Sequence, residues 1–347
     1  MMSLQSSKTI LFVGNHLSKS NQNLSVNEEL STQLLRFGWS SILISRKINR
    51  LLRFWDMIST IVNKKSEYLI AEVDIFSGAA FVWGFFCALV VKLIHKPLVL
   101  TLHGGNLPNF ARKYVFWVKL LLRWGDVVVS PSNYLREQMA IYRRDIRLIP
   151  NGISIQNYPY RERQIITPNI IWLRAFHEIY NPSLGPKVVK KLQERGHYCH
   201  LTMVGPDKKD GSFEKALSTA KELGVDDLVH FIPGVSKEEV PSLLNKADIF
   251  LNTTNFDNTP VSVLEAMACG LCIVSTNVGG VTYMINDEED SLLTQPDDSD
   301  AMAYAVERII TSPELANKLT KNARAKALQS DWSTILPLWD RIFWELS

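Results

Sequence analysis

One segment, residues 247–285, limits the possible folds of this chain more than any other. Its first part, ADIFLNTT, has a short apolar run followed by polar residues, as in a buried parallel strand. A helical pattern begins at Val261 and stops at Gly270, a residue type that commonly ends helices. CIVST then forms a second apolar run. A strand, a helix and another strand in so short a stretch predict an α/β fold with a parallel sheet.

Two carboxylates in this segment are candidates for binding a ligand. Asp257 lies in the predicted loop, and Glu265 follows in the first turns of the helix. Both are expected at the carboxyl end of the strand, where open α/β sheets bind ligands. Carboxylates accept hydrogen bonds from sugar hydroxyls, and the free N–H groups of a helix N-terminus suit phosphate. Spacing alone leaves a second interpretation open, namely a surface loop and a helix with an ordinary exposed glutamate.

The sequences NTPVSVLEAMACG and VSTNVGG resemble the donor-site signature of the family 4 glycosyltransferases, with its E-x7-E pattern and the Gly-Gly loop after it. The resemblance implies the GT-B architecture. In this architecture two Rossmann-like domains have parallel sheets that face each other across a cleft, and a C-terminal helix crosses back to the N-terminal domain. The resemblance also implies sugar transfer from a nucleotide-sugar, with retained anomeric configuration and no required metal. No resident cofactor is expected, because the UDP- or GDP-linked donor is a substrate.

The same resemblance implies roles for individual residues. Glu265 is expected to bind the ribose hydroxyls of the donor. Asp257 takes the position of the first glutamate, which contacts the donor sugar, and its carboxylate reaches less far because the side chain is shorter. Four further donor-binding residues are expected beside it: Asn258, Thr259, Pro260 and Val261.

A second motif of the family has an arginine followed a few residues later by a lysine, and both bind the diphosphate. Arg174 matches the arginine, but Ile179 or Tyr180 stands at the lysine position. One cation is therefore missing for the charge that develops on the leaving diphosphate. Lys187, or a residue of the other domain, is the candidate replacement. HLTMVG, which ends in Gly205, resembles the family's strand and glycine at the nucleotide.

The N-terminal half contains two weaker matches. Gly14 follows the first strand and begins a polar loop to Ser25, where family members often have two adjacent glycines near the donor phosphates. His103 and Gly104 follow the strand KPLVLTL and resemble the family's His–Gly near the donor sugar and phosphate. The alternatives are an ordinary turn at Gly14 and a structural core role for His103.

The chain has 347 residues, which is enough for two domains of ordinary size. The segment IRLIPNG resembles the end of the family's N-terminal domain. We therefore expect an acceptor domain at residues 1–158, completed by a C-terminal helix at 333–347, and a donor domain at 159–332. The C-terminal helix is expected in two pieces hinged near Pro337.

Charge is unevenly distributed along the chain. Residues 1–158 contain 19 Lys and Arg against 9 Asp and Glu, whereas the remainder contains 19 against 26. The basic half predicts an anionic partner, either a membrane surface or a phosphate-bearing acceptor. Residues 110–124 mix aromatic and basic side chains, which suits an interfacial helix or a domain helix with a solvated basic face. Residues 81–94 are apolar but too short for a membrane span, so they predict a buried helix.

Other patterns favour structural roles. Cys269 and Cys272 form a C-x-x-C without a second Cys or His pair, so they are expected to be small core residues. Asp298 and Asp300 form a D-x-D before a helix, where capping is a better explanation than metal binding. No nucleic-acid partner is expected. The N-terminus shows no signal peptide and the cysteines no disulfide framework. A cytoplasmic protein is therefore expected, peripheral at the inner face of the cell membrane if its basic half binds lipid.

These observations predict a retaining glycosyltransferase that moves a sugar from a nucleotide-sugar to a glycan or polyprenyl-diphosphate-linked acceptor, in cell-surface polysaccharide biosynthesis. One alternative is a GT-B sugar-nucleotide epimerase, which would alter or release the sugar without an acceptor. Another is a non-catalytic nucleotide-sugar-binding subunit, which Asp257 and the absent lysine would favour.

Overall fold

The computed structural model describes residues 8–14, 16, 26–45, 47 and 49–347. Most of the predicted loop between Gly14 and Ser25 therefore lies outside the described residues. The chain divides into two compact units, which we call unit 1 (Met1–Gly152 with Trp332–Ser347) and unit 2 (Ile153–Asp331). The domain boundary at residue 158 remains a prediction.

Unit 1 is built on a parallel sheet with the strand order β2-β1-β3-β4-β5-β6. Its central strands are rich in Val, Ile and Leu and are buried, as expected where helices cover both faces of a parallel sheet. The strands are β1 (Thr9–Val13), β2 (Ser40–Ile44), β3 (Ile70–Ile75), β4 (Leu98–Leu102), β5 (Val127–Ser130) and β6 (Arg147–Leu148). The helices are α1 (Val26–Leu34), α2 (Arg50–Asn63), α3 (Ala79–Leu93), α4 (Leu107–Lys113), α5 (Val115–Trp124), α6 (Asn133–Met139) and α14 (Trp332–Leu346).

The apolar run at residues 81–94 forms α3, but only one face of that helix is buried. Phe81 and Phe85 lie in the core, whereas Val82 and Phe86 on the other face are exposed. The prediction of a buried helix is therefore wrong for this second face, because no described element covers it. Among the described residues, no helix combines the length and the apolar character that crossing a membrane requires.

The C-terminal helix α14 belongs to the core of unit 1. Phe343 is fully buried and meets Trp39 with 5.7 Å between ring centroids. The Trp39 indole N–H donates to Asp340 at 2.7 Å. The prediction of two pieces hinged near Pro337 is wrong, because Pro337 lies inside one continuous helix. A proline within a helix removes one N–H donor, and we attribute the continuity to the aromatic burial on both sides of it.

Unit 2 has a second parallel sheet, with the order β12-β11-β10-β7-β8-β9. The predicted α/β class with parallel sheets is thereby confirmed. The strands are β7 (Asn169–Leu173), β8 (His200–Val204), β9 (Val229–Ile232), β10 (Ile249–Asn252), β11 (Cys272–Thr276) and β12 (Leu292–Thr294). The helices are α7 (Leu184–Glu194), α8 (Ser212–Glu222), α9 (Val240–Lys246), α10 (Val261–Cys269), α11 (Val281–Met284), α12 (Ser299–Thr311) and α13 (Pro313–Leu328).

Candidate functional site

The candidate site of unit 2 lies where β10 leads through a loop into α10. All four residues of β10 are buried, and nearly all of α10 is buried as well. The loop between them is held at the carboxyl edge of the sheet. Pro260 precedes the first turn of α10, and the described side chains provide no cap for that turn. The first N–H groups of a helix have no partner within the helix, so this end of α10 can bind an anion.

Arg174 and Asp257 form an ion pair at this edge, although they are far apart in sequence. The guanidinium donates from Nη2 to Oδ2 of Asp257 and, at 3.4 Å, from Nη1 to the hydroxyl of Ser262 at the start of α10. Both charged side chains are largely buried. The two predicted catalytic residues of this unit are thus in direct contact with each other.

Tyr180 holds the arginine from the other side. Its ring lies 4.0 Å from the guanidinium carbon of Arg174, a cation–π arrangement. The short turn Glu178–Tyr180 is fixed to the loop after β10, because Asn255 donates to the Ile179 carbonyl at 2.8 Å and Thr253 donates to the Tyr180 carbonyl at 2.7 Å. Tyr180, one of the two residues that stand where the resemblance predicts a lysine, therefore presents an aromatic face to the arginine.

Glu265 points back toward the segment that enters unit 2. Its side chain is 7% exposed, and the Tyr158 hydroxyl donates to its Oε1 at 2.6 Å. The interpretation of Glu265 as an ordinary exposed glutamate is wrong. A carboxylate can accept several hydrogen bonds.

Glycines allow two close backbone approaches around the site. A Cβ on Gly205 would lie 1.7 Å from the Arg174 carbonyl oxygen, so Gly205 lets the end of β8 pack against the end of β7. A Cβ on Gly280 would lie 1.9 Å from the Asn258 carbonyl oxygen. Gly280 also donates its N–H to the Asp257 carbonyl at 3.0 Å. The Gly-Gly loop therefore supports the Asp257–Asn258 backbone.

The remaining predicted residues of this unit lie around the same helix end. Asn258 is buried, and its N–H is held by Oδ1 of Asp257 at 2.8 Å. The buried hydroxyl oxygen of Thr259 has no hydrogen-bond partner among the described residues. Lys187, the candidate replacement for the missing lysine, lies on the exposed face of α7.

Unit 1 has a separate polar cluster at the ends of β3 and β4. His103 Nε2 lies 2.6 Å from Oδ1 of Asp74, and the imidazole stacks on Phe76 at 4.9 Å between ring centroids. One Asn27 amide donates both to Asp74, at 2.8 Å, and to Glu72, at 3.0 Å. His103 and Asn27 therefore contact the same oxygen of Asp74, Oδ1.

Burial and the neighbouring charge of Asp74 raise the pKa of Glu72 well above its usual value, while Thr101 and Asn27 act in the opposite direction. Glu72 is fully buried. A carboxyl group in such a place favours its neutral form.

The two predicted glycines of unit 1 differ in their surroundings. A Cβ on Gly14 would lie 2.2 Å from Oδ2 of Asp74, so Gly14 is required by the carboxylate beside it. Gly104 has φ of +79°, a left-handed backbone that favours glycine.

The C-x-x-C and D-x-D motifs have the structural roles that were expected for them. Cys269 and Cys272 are buried free thiols, and burial raises the pKa of each to about 12. Asp298 caps α12 by accepting from the Ala301 N–H at 2.8 Å, and Asp300 pairs with Lys191 at 3.4 Å. Within the described part of the chain, no cluster of His, Cys, Asp and Glu could hold a metal ion.

Sequence reasoning missed Glu72, Asp74 and Tyr158, and it named Tyr180 only as a residue at the lysine position. Glu72 and Asp74 had a readable signal, since two carboxylates at alternate positions interrupt an otherwise apolar strand. Tyr158 had none, because its partner Glu265 lies far away in the sequence. The contact of Tyr180 with Arg174 depends on the turn between them.

Two family models together match most of the chain. Residues 168–326 match the model described as glycosyl transferases group 1, and residues 24–157 match the model described as glycosyltransferase family 4. YtcC of Bacillus subtilis, a protein assigned as a glycosyltransferase, is 33% identical over 276 residues, covering 68% of this chain and 67% of that protein. The UDP-Gal:alpha-D-GlcNAc-diphosphoundecaprenol alpha-1,3-galactosyltransferase of Escherichia coli is 28% identical, covering 69% of this chain and 66% of that protein. The match spans as little as 27% of the length of other curated relatives.

Solved structures share the fold at low sequence identity. The Anabaena protein HepE in complex with UDP has a TM-score of 0.80 at 15% identity, covering 98% of this chain and 100% of that one. The likeness concerns the fold, and with the two parallel sheets it confirms the predicted GT-B class.

Proposed function

The chain belongs to the glycosyltransferase group 1 family, and from this premise we propose that it transfers a sugar from a nucleotide-sugar to a glycan or lipid-linked acceptor. The observation that carries the proposal is the grouping of Arg174, Asp257 and Glu265 around the N-terminus of α10. These three residues come from separate parts of unit 2, and each has a chemistry that suits a different part of a nucleotide-sugar.

The donor diphosphate is proposed to bind between Arg174 and the N-terminal amides of α10. A guanidinium donates two parallel hydrogen bonds to phosphate oxygens, and the helix end adds partial positive charge. Such groups stabilise the negative charge that grows on the leaving diphosphate as the sugar departs. Neither group requires a metal ion, which supports the proposal of a metal-independent reaction.

Asp257 couples the diphosphate to the sugar. Without a ligand, its carboxylate neutralises Arg174. A bound diphosphate competes for the guanidinium, and the released carboxylate oxygen can then accept a hydrogen bond from a sugar hydroxyl. We propose that the shorter side chain of Asp257 is tolerated because Arg174 holds it in place.

Glu265 is proposed to accept hydrogen bonds from the two ribose hydroxyls. The bond from Tyr158 fixes the orientation of the carboxylate before the donor arrives, which lowers the entropic cost of binding. UDP is the first nucleotide to test, because the HepE structure contains UDP and the name of the E. coli relative specifies UDP-Gal.

Retention of configuration is part of the proposal, with attack by the acceptor hydroxyl on the face that the diphosphate leaves. His103, which Asp74 contacts at 2.6 Å within unit 1, is proposed to have a catalytic role. The acceptor is proposed to be a polyprenyl-diphosphate-linked glycan or lipid of cell-surface polysaccharide biosynthesis. The name of the E. coli relative, which specifies a diphosphoundecaprenol acceptor, supports this class.

The basic half of the chain supports a peripheral position at an anionic membrane, on the cytoplasmic side where nucleotide-sugars are made available. Co-sedimentation with phosphatidylglycerol vesicles, compared with neutral vesicles at the same salt, tests this point. Equal recovery with both vesicle types would contradict an electrostatic membrane contact.

The decisive experiment is a thermal-shift panel with UDP, GDP, ADP and their sugars, with and without EDTA. Ligand at about 100 times its dissociation constant stabilises by about 2.7 kcal/mol. We expect a shift with UDP compounds that EDTA leaves unchanged and that Glu265→Gln reduces. Glu222→Gln, at an exposed helix position, is the matched control.

Activity is then followed by NMR of the sugar anomeric proton in donor and product, which reports retention directly. A nucleotide-induced shift without turnover on any acceptor would favour the non-catalytic binding subunit. Turnover of donor to a free or altered sugar without acceptor would favour the epimerase.

A further inference from the structure

An apolar groove crosses the surface of unit 1 between α3, α4 and α5. Its cavity volume is about 590 Å³, within the range of pockets that hold small ligands. Four of its lining residues, Val82, Phe86, Tyr114 and Trp117, are between 44 and 50% exposed. Large apolar side chains grouped in this way mark binding surfaces more often than isolated ones do.

The groove is preformed by ring contacts among its own walls. Phe81 meets Phe110 at 4.9 Å between centroids, and Phe110 meets Tyr114 at 4.5 Å. Phe85 at the base meets Trp117 edge-on at 5.5 Å. Aromatic pairs in these geometries add stability beyond their buried area. The groove therefore does not need the ligand to create its shape.

Exposed cations lie close in sequence to the groove residues. Between residues 75 and 125 the sequence has six Lys and Arg, of which Lys92 is paired with Asp126 at 3.0 Å. Arg112 and Lys113 follow Phe110 closely on α4, and both are exposed. An apolar trough beside cations matches a molecule that has a hydrocarbon chain and an anionic head group.

The groove also begins beside the polar cluster of unit 1. Ala79 lines both the groove and a second cavity that is bounded by Asp74 and Phe76, and Phe76 stacks on His103. The helix α4 begins at Leu107, only a few residues after His103. A head group near His103 would therefore leave its chain at the mouth of the groove.

We infer that this groove holds the hydrocarbon chain of a lipid-linked acceptor whose head group bears phosphate. The inference rests on the proposed function, because it states where the hydrocarbon chain of the proposed acceptor binds. We assign the groove to the hydrocarbon chain of a single lipid because three helices provide its walls. A surface that inserts into a flat bilayer needs protruding side chains instead. Phe116 is such a protruding side chain, since it is 68% exposed and lies outside the groove.

The test measures binding by calorimetry of farnesyl diphosphate and isopentenyl diphosphate to the full chain in detergent-free buffer. The two probes share a head group and differ in chain length. We expect the longer chain to bind at least about tenfold more tightly, since each buried methylene adds to affinity. Equal affinity would overturn the inference, because it would show that only the head group binds.

Variants of residues in and beside the groove test where the hydrocarbon chain binds. Trp117→Ser and Val82→Glu are expected to remove the preference for the longer chain, whereas Phe116→Ser is the matched control and should keep it. Circular dichroism checks that each variant is folded, which the exposure of all three positions favours. Equal losses for Trp117→Ser and Phe116→Ser would indicate general adsorption to the surface and would overturn the groove as the site.

The same samples separate this inference from the proposed function. If UDP-sugar stabilises the protein but farnesyl diphosphate binds no more tightly than isopentenyl diphosphate, only the inference about the groove is contradicted. A chain-length preference without any nucleotide-induced shift contradicts the proposed transferase and leaves a lipid-binding groove.

Discussion

At the scale of single residues, the candidate site of unit 2 has one guanidinium, that of Arg174, where the resemblance to the family predicts an arginine and a lysine. That guanidinium is enclosed: Asp257 neutralises it, Ser262 accepts from it, and the Tyr180 ring covers one face. A fixed cation is more effective toward a developing charge than a mobile one, because it needs no reorganisation during the reaction. The aromatic ring thus offers orientation in place of a second charge.

Tyr180→Leu is expected to lower turnover about tenfold while changing the donor KM less, because loss of a cation–π contact of about 1–2 kcal/mol loosens Arg174. Steady-state kinetics with the donor identified by thermal shift measures both constants. Tyr180→Phe retains the ring and should behave like the wild type. The stacking role is disproved if the Phe variant is as impaired as the Leu variant.

Glu72 makes the stability of unit 1 depend on pH. Burial and Asp74 raise its pKa above the usual 4.5, so the folded chain keeps a proton that the unfolded chain loses. The free energy of unfolding should therefore fall as pH rises above that value, by at most about 1.4 kcal/mol per pH unit. Glu72→Gln lacks this titration and should gain stability relative to the wild type as the pH rises above the usual pKa of a glutamate.

Urea unfolding of both proteins at several pH values measures this difference. Glu67→Gln, at an exposed position, is the control and should follow the wild-type curve. Parallel curves for the wild type and Glu72→Gln would show that Glu72 titrates alike in the folded and unfolded chain.

The sequence allowed prediction of the motif residues but not of their partners. Arg174, Asp257 and Glu265 were readable because each stands in a local pattern. Tyr158 was not, since its contact with Glu265 is made by folding and its own neighbourhood carries no pattern. Tyr180 was noticed only as a departure from the motif, and its contact with Arg174 was not predicted. The roles assigned to all these residues remain predictions.

At the scale of elements, the loop of Gly279 and Gly280 determines where Asp257 lies. Gly280→Ala would place a Cβ 1.9 Å from the Asn258 carbonyl oxygen and must push that backbone away. A shift of about 1 Å at a reacting group can reduce turnover about a hundredfold, and we expect a loss of that order in kcat/KM. The φ of −78° at Gly280 is allowed for alanine. A loss of activity in this variant would therefore come from the contact with the Asn258 carbonyl and not from backbone strain.

Gly224→Ala is the control for this variant. Gly224 has φ of +65°, and no atom of the described residues lies within 4 Å of the place that a Cβ would take there. Alanine at this position therefore costs about 1–2 kcal/mol of stability without touching the loop. Its kcat/KM should match the wild type. Unchanged kcat/KM in Gly280→Ala would show that the loop does not position Asp257 for catalysis.

The helix α3 shows why element type was easier to predict than burial. Its apolar run is long enough for a helix and too long for an ordinary strand. Whether both faces are covered depends on which elements pack against it, and that information is absent from the run itself. The exposed face is the one that lines the groove.

At the scale of the whole molecule, each unit is built on a parallel sheet, and its candidate site residues lie at one end of the strands. This arrangement follows from topology, because all strands of a parallel sheet end at the same edge and the loops there converge. The α/β class could therefore be predicted from one strand–helix–strand segment. The return of the last helix to the N-terminal unit was predicted as well. Its continuity was not, because Pro337 indicated a break that tertiary packing overrides.

The last helix is expected to stabilise unit 1 and not unit 2, although it follows unit 2 in the sequence. Phe343 is fully buried and packs between Trp39 and Trp339, with centroid distances of 5.7 and 5.6 Å. Phe343→Ala should destabilise unit 1 by about 3–5 kcal/mol. In urea unfolding, the transition that shifts on addition of the nucleotide reports unit 2. We expect the other transition alone to move in Phe343→Ala, and to move much less in Trp344→Ala, whose ring is half exposed. Movement of the nucleotide-sensitive transition instead would show that the helix folds with unit 2.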